Sequence, residues 1–160
     1  MVIIKSNCPI SWKRIKYICD KCNQENIDIF DDGDDIRRRT PEIAQKYEEW
    51  KNIQHNEDVL SNFLFDNTDD NIILIENDFP YDFESTDSYE IKHYVAWLRP
   101  HQDLYEFTSR MSDDLLNIIK EKLNKDLNNT IDIIYFRNNF DGRSVRSIPH
   151  YHVIVKILIN

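Results

Sequence analysis

Two glycines in 160 residues, Gly33 and Gly142, exclude the Gly-rich phosphate loops of Walker or Rossmann type. Such loops need several glycines close together so that backbone amides can close on a phosphate. Cysteine is scarce too. The three present are an odd number, which fits a reducing compartment better than a disulfide framework. Cys19 and Cys22 form a C-x-x-C, yet a structural zinc site takes four ligands, and the nearby Cys8 and His55 match no spacing template. Core cysteines on a helix face are the better reading. No apolar run approaches the roughly 18 residues of a membrane span, and the opening M-V-I-I-K-S-N-C-P is too short for a signal peptide. A soluble, intracellular, cytoplasmic protein without a membrane partner is expected. A long basic stripe is also missing. At a formal net charge of −9, coating of extended nucleic acid is disfavoured, because phosphate neutralisation dominates that binding. A small nucleotide held by a local Arg and His cluster is compatible with the charge.

What is present suffices for one core: 41% apolar, 12% aromatic and 31% charged residues. One domain over 1–160 is expected, with a helical N-terminal part (1–66) and an α+β core (67–160). Val2 to Ile4 reads as a short strand or an extended tail. Ser11 reads as an N-cap, followed by a helical stripe of Trp12, Ile15, Ile18, Cys19 and Cys22. Residues 31–39, D-D-G-D-D-I-R-R-R, read as a solvated loop, or as arginines that guide an anionic ligand. Thr40-Pro41 opens the next helix, with Ile43, Ala44, Tyr47, Trp50 and Ile53 inward. A short helix from Asp58 to Phe65 follows, with Val59, Leu60, Phe63 and Leu64 inward. Strands are expected at Ile72–Ile75, Ile91–Leu98, Ile131–Phe136 and from His150 onward. A long amphipathic helix from about Asp103 to Leu127 lies among them. The fold class is α+β: a helical N-terminal third, then a mainly antiparallel sheet with the long helix on one face.

The stretch R-S-V-R-S-I-P-H-Y-H-V-I-V-K-I-L-I, from Arg143 to Ile159, carries the candidate chemistry. A strand alternates its side chains. His150, His152 and Ile154 therefore share one face, opposite the wholly apolar face of Tyr151, Val153, Val155, Ile157 and Ile159. The two imidazoles stand roughly 7 Å apart along the strand, a spacing that suits phosphate chemistry or a metal, with two ordinary strand-end histidines as the plain alternative. In the first case His152 is a nucleophile or base and His150 its neighbour or proton carrier. Arg143, Arg146 and Ser147 supply donors for phosphate oxygens. Asn77, His93, His101, Asn138 and Asn139 lie at strand ends or in loops of the same half. No cofactor is expected; a metal on His150, His152 and a third ligand such as His93 is the alternative that metal analysis would reveal.

The segment S-I-P-H-Y-H-V-I-V, with N-N-F-D-G-R upstream, resembles the histidine-triad (HIT-like) signature, and H-Y-V-A-W-L-R-P-H from His93 to His101 looks like that fold's H-x-L-V-x-P-x-x-H strand. The resemblance implies a nucleotide-binding α+β fold. His152 matches the middle, nucleophilic histidine, His150 the first, and Ser147 the phosphate-contacting Ser/Thr. Ile154 stands where the third histidine belongs and Arg146 where Gln is usual, departures that bear on hydrolysis or transfer rather than on binding. Histidine-triad proteins are often dimers, so a homodimer is compatible with the resemblance, although nothing in the sequence marks a dimer face.

A second resemblance covers most of the chain. R-R-T-P-E-I-A-Q-K-Y-E-E-W, N-D-F-P-Y, H-Y-V-A-W and R-S-I-P-H-Y-H-V resemble the domain of unknown function in fungal N-acetylglucosamine-induced proteins. That resemblance implies no settled activity. It singles out Arg39, Pro41, Tyr47, Trp50, Asn77, Asp78, Pro80, Tyr81, His93, Trp97, His150 and His152. Two readings result. One is a degenerate histidine-triad-like protein that binds, and as an enzyme hydrolyses or transfers, a small nucleotide or nucleotide-sugar phosphate. The other is a non-catalytic ligand-binding or protein-interaction module with structural histidines.

Overall fold

One face of the last strand is apolar and the other carries His150, His152 and Ile154 before Lys156, so both faces need cover over most of their length. In the computed structural model, which describes residues 4–5, 9–29, 36–52, 57–101, 104–127, 129–138 and 145–159, that strand is internal to its sheet. The described elements are β1 (Ile4–Lys5), α1 (Trp12–Glu25), β2 (Arg38–Arg39), α2 (Pro41–Asn52), α3 (Glu57–Phe65), β3 (Ile72–Glu76), β4 (Tyr89–Leu98), α4 (Asp113–Asp126), β5 (Thr130–Phe136) and β6 (His150–Leu158). The main sheet is antiparallel in the order β3-β4-β6-β5, and β1 with β2 makes a two-residue parallel ladder. The chain is α+β, with four helices among the described residues.

The alternation along β6 divides the core into two layers. Tyr151, Val153, Val155 and Ile157 pack with Leu115, Ile119 and Leu123 of α4. Ile154, with Ile134 and Phe136 of β5, packs instead on Ile15, Ile18, Cys19 and Cys22 of α1. Each such large side chain contributes about 1.5–3 kcal/mol by leaving water. The α1 stripe is the one its spacing predicts, and Ser11 caps it by accepting the Arg14 amide at 3.1 Å. Toward the histidine end of β6, α1 no longer covers the sheet. There α2, α3 and the Asn77–Tyr81 segment stand over it, with Leu64, Phe65, Val145 and Ile148 forming a third cluster.

Two expectations need correction. The long helix begins at Asp113, not near Asp103. Ser112 caps it by accepting the Leu115 amide. The preceding Met111 amide is drawn to the Tyr135 hydroxyl at 2.9 Å, so 104–111 runs as a loop across the sheet edge. In α3, Val59 and Phe63 point outward, Phe63 at 78% exposure, while Leu64 and Phe65 are buried. Arg99 sets that rotation by gripping the helix end: its guanidinium donates to the Phe65, Thr68 and Asp70 carbonyls and lies over the Phe65 ring. Val2, Ile53 and Asp103 lie outside the described residues.

Candidate functional site

The N-D-F-P-Y segment builds one wall of a cavity. Asn77 Oδ1 accepts the Phe79 amide at 2.8 Å, an Asx turn. That turn presents the Phe79 carbonyl to Arg39 Nε at 2.9 Å and brings the Tyr81 amide to His93 Nδ1 at 3.2 Å. Pro80 has no amide to satisfy between them. The opposite wall is the sheet, where the register sets Val95 beside His152 and Trp97 beside His150. All three histidines are buried.

Hydrogen bonding fixes their tautomers. The Tyr81 N–H occupies His93 Nδ1, so the neutral His93 ring carries its proton on Nε2. Nε2 lies 2.7 Å from His152 Nδ1 and donates to it. Asn77 Nδ2 also stands 3.4 Å from Nε2, a distance at the limit of a hydrogen bond, and the shorter contact decides the assignment. His152 then holds its proton on Nε2, which lies 3.1 Å from Asn138 Nδ2; since two donors cannot face each other, we assign the Asn138 amide the flipped orientation that turns its oxygen to Nε2–H. His150 is the reverse: Nδ1 donates to the Ile148 carbonyl at 2.8 Å, making Nε2 the acceptor of its neutral ring. Burial, and then the charge of Arg39, lower His93 to a pKa of about 3. Burial, followed by His93, His150 and Arg39, holds His152 well below the usual range. With neutral rings, His152 thus offers a donor at Nε2 and His150 an acceptor at Nε2.

The cavity these groups border measures about 260 Å³. Its walls are aromatic: Tyr47, Trp50 and Phe79 pack mutually at 5.5–5.9 Å, and Trp97 lies 4.6 Å from the His150 ring. Arg39 lines it at 4% exposure, its guanidinium 4.0 Å over Tyr47 and 4.8 Å from Tyr81. Glu76 and Asp78 are the carboxylates on the rim.

His150, His152, His93 and Asn77 therefore meet at one place, with Asn138. His101 does not join them: it lies beyond β4 in a separate depression with Leu98, Tyr105 and Pro149, on a left-handed backbone (φ 62°). Arg146 and Ser147 are exposed, and both amides donate to Glu57 Oε1, at 2.8 and 3.0 Å. Their anion-holding amides are already occupied by a carboxylate of α3. Asn139 and Arg143 lie outside the described residues. Cys19 and Cys22 are buried free thiols within the α1 core. Among the described residues no group of three or more His, Cys, Asp or Glu side chains is placed to hold a metal ion. Zinc bound at roughly 2.0–2.1 Å from each nitrogen would not fit between rings in direct hydrogen-bond contact. Sequence reasoning gave Arg39 no role apart from its neighbours: it stood in the D-D-G-D-D-I-R-R-R run, read as a solvated loop or as arginines that guide an anionic ligand, and in the R-R-T-P-E motif.

No helix among the described residues is long and apolar enough to cross a membrane. Comparison with curated proteins and with solved structures gives no match. The family model described as "Protein of unknown function (DUF3605)" matches residues 33–156, a span that takes in Arg39, the N-D-F-P-Y wall and all three histidines. The chain belongs to the DUF3605 family.

Proposed function

We propose that this chain is a histidine-triad-like binding protein whose cavity receives a small phosphorylated molecule with a planar ring, of mononucleotide size or less. The observation that carries this reading is the opposed hydrogen-bonding poles of His150 and His152 on an internal strand, facing an aromatic-lined cavity. The β4–β6 pairing with a helix behind it supports HIT-like kinship. The motif order supports kinship with the fungal N-acetylglucosamine-induced proteins. Stacking on aromatic rings suits a base or similar planar group. At about 260 Å³ the cavity falls below the roughly 300–1,000 Å³ of most ligand sites, which argues against a dinucleoside polyphosphate or a whole nucleotide sugar.

Binding is favoured over covalent transfer by the tautomer chain. An attacking imidazole needs a lone pair on the nitrogen that faces phosphorus. His152 holds a proton there, kept in place through His93 by the Tyr81 amide. His152 acts as a hydrogen-bond donor to a bound oxyanion, which takes the place of the Asn138 amide at Nε2–H.

The test is calorimetry and thermal melting with nucleoside monophosphates, dinucleoside polyphosphates and UDP-sugars, beside intact-mass measurement, on wild type and His152→Ala. Stabilisation by the monophosphates, weakened at least tenfold in the variant and without a covalent adduct, is expected. A nucleotidyl or phosphoryl adduct present only in wild type would overturn the binding reading in favour of catalysis. No ligand effect in wild type would remove both.

A further inference from the structure

Among the described residues no carboxylate answers the charge of Arg39. The residue sits at 4% exposure, and a guanidinium stays ionised even when buried. A buried cation is costly unless an anion or several acceptors meet it. Here the protein offers its Nε one acceptor, the Phe79 carbonyl, and its face the rings of Tyr47 and Tyr81. The held Nε and the stacking on Tyr47 fix the plane of the group beside the cavity that Arg39 lines. Orienting an arginine fork in this way prepares bidentate capture of an oxyanion. The competing receptor, the amide pair of Arg146 and Ser147, is filled by Glu57.

We propose that Arg39 is the anion receptor of the cavity, taking the phosphate of the ligand deep against Tyr47 while the His152 Nε2–H supplies a second donor and the planar part stacks among Trp50, Phe79 and Trp97. The inference rests on the binding reading above and deepens it: the ligand enters phosphate first. Phosphate recognition moves from the loop before β6, where the sequence motif put it, to the R-R-T-P-E segment. A planar carboxylate shares the chemistry and is separated by the test.

The experiment measures binding of AMP, adenosine, orthophosphate and benzoate to the full chain by calorimetry and thermal melting, in wild type, Arg39→Gln, Arg39→Lys and, as a surface control, Arg146→Gln. A structural role for Arg39 would lower the melting temperature of the variants but would not change the preference for AMP over adenosine. Wild type and Arg146→Gln are expected to prefer AMP by about tenfold to a hundredfold, the worth of one charge-assisted contact. Arg39→Lys should keep part of that preference and Arg39→Gln should erase it. Benzoate binding tighter than AMP in wild type, lost in Arg39→Gln, would keep the receptor and change the ligand to a carboxylate. Orthophosphate that raises the melting temperature of wild type but not of Arg39→Gln sustains the receptor even if AMP fails, in which case only the ring-and-phosphate reading falls. An undiminished AMP preference in Arg39→Gln, or in Arg39→Lys should the former not fold, overturns the inference and leaves the binding reading intact. No effect of any anion on wild type also overturns it.

Discussion

Lowering the pH from 7.5 to 5 should destabilise this protein through His93. The residue is 2% exposed and its pKa falls from 6.5 to about 3, first because burial penalises the cation and then because Arg39 repels it. The unfolded chain binds a proton below about pH 6.5 that the native state refuses. Stability is therefore complete above the unfolded value and lost as the pH falls toward the folded one. Integrated from pH 7.5 to 5, one such histidine costs about 2 kcal/mol. His152, lowered by burial and by its histidine and arginine neighbours, adds in the same direction. Asp82, raised by burial, acts oppositely but mainly at lower pH, in the carboxylate range. The assay is urea unfolding at half-unit steps of pH, compared with His93→Gln, whose amide can accept from Tyr81 and donate to His152 without titrating. The wild-type midpoint should fall steadily below pH 6.5 and the variant's slope should be shallower by about one proton. A stability flat from pH 7.5 to 5, or equal slopes in the two proteins, would refute the assignment of His93 as a neutral, proton-refusing link.

Other perturbations test the parts that position the cavity. Arg99→Ala should cost about 2–4 kcal/mol in urea unfolding, because three carbonyls closing α3 lose a charged donor together; a loss under 1 kcal/mol would mean that water replaces it. Ser112→Ala should cost about 1 kcal/mol by removing the α4 cap, and an unchanged denaturation midpoint would count against that start of the helix. Glu57→Gln should loosen α3, seen as faster hydrogen exchange at Leu60–Phe65, since a neutral amide oxygen holds the Arg146 and Ser147 amides less firmly than the carboxylate, whose pKa they lower. Unchanged exchange would show that this clasp holds nothing in place.

The sequence carried the periodic features well, because periodicity is local. The α1 stripe and its Ser11 cap could be read from spacing, as could the division of β6 into a histidine face and an apolar face. Partnership across the sheet could not. The His93–His152 contact depends on β4 lying against β6, fifty-nine positions away in the chain, and no local pattern encodes that pairing. Arg39 was hidden for a related reason. Three consecutive arginines look alike in sequence, and it is folding that carries the Arg39 Nε to the Phe79 carbonyl, forty positions on, and its guanidinium over Tyr47. In α3, nine residues with several apolar candidates allow more than one inward face, and the Arg99 grip selects the one that exposes Phe63. The expected start of the long helix near Asp103 took in Tyr105, Phe107 and Met111. They are apolar because they pack on the sheet as a loop, and the S-D-D cap marks the true beginning.

The most direct test of the account follows the ring nitrogens themselves. Imidazole-detected ¹H–¹⁵N correlation spectra of the labelled protein at pH 7.5 should show neutral His93 and His152, each protonated on Nε2, and neutral His150 protonated on Nδ1. Addition of AMP should shift the His152 Nε2 resonance saturably with one ligand per chain, while its Nδ1 remains an acceptor. A His152 ring protonated on Nδ1, or resonances that AMP leaves unmoved, would contradict the claim that this histidine is a neutral donor to a phosphorylated ligand in the cavity.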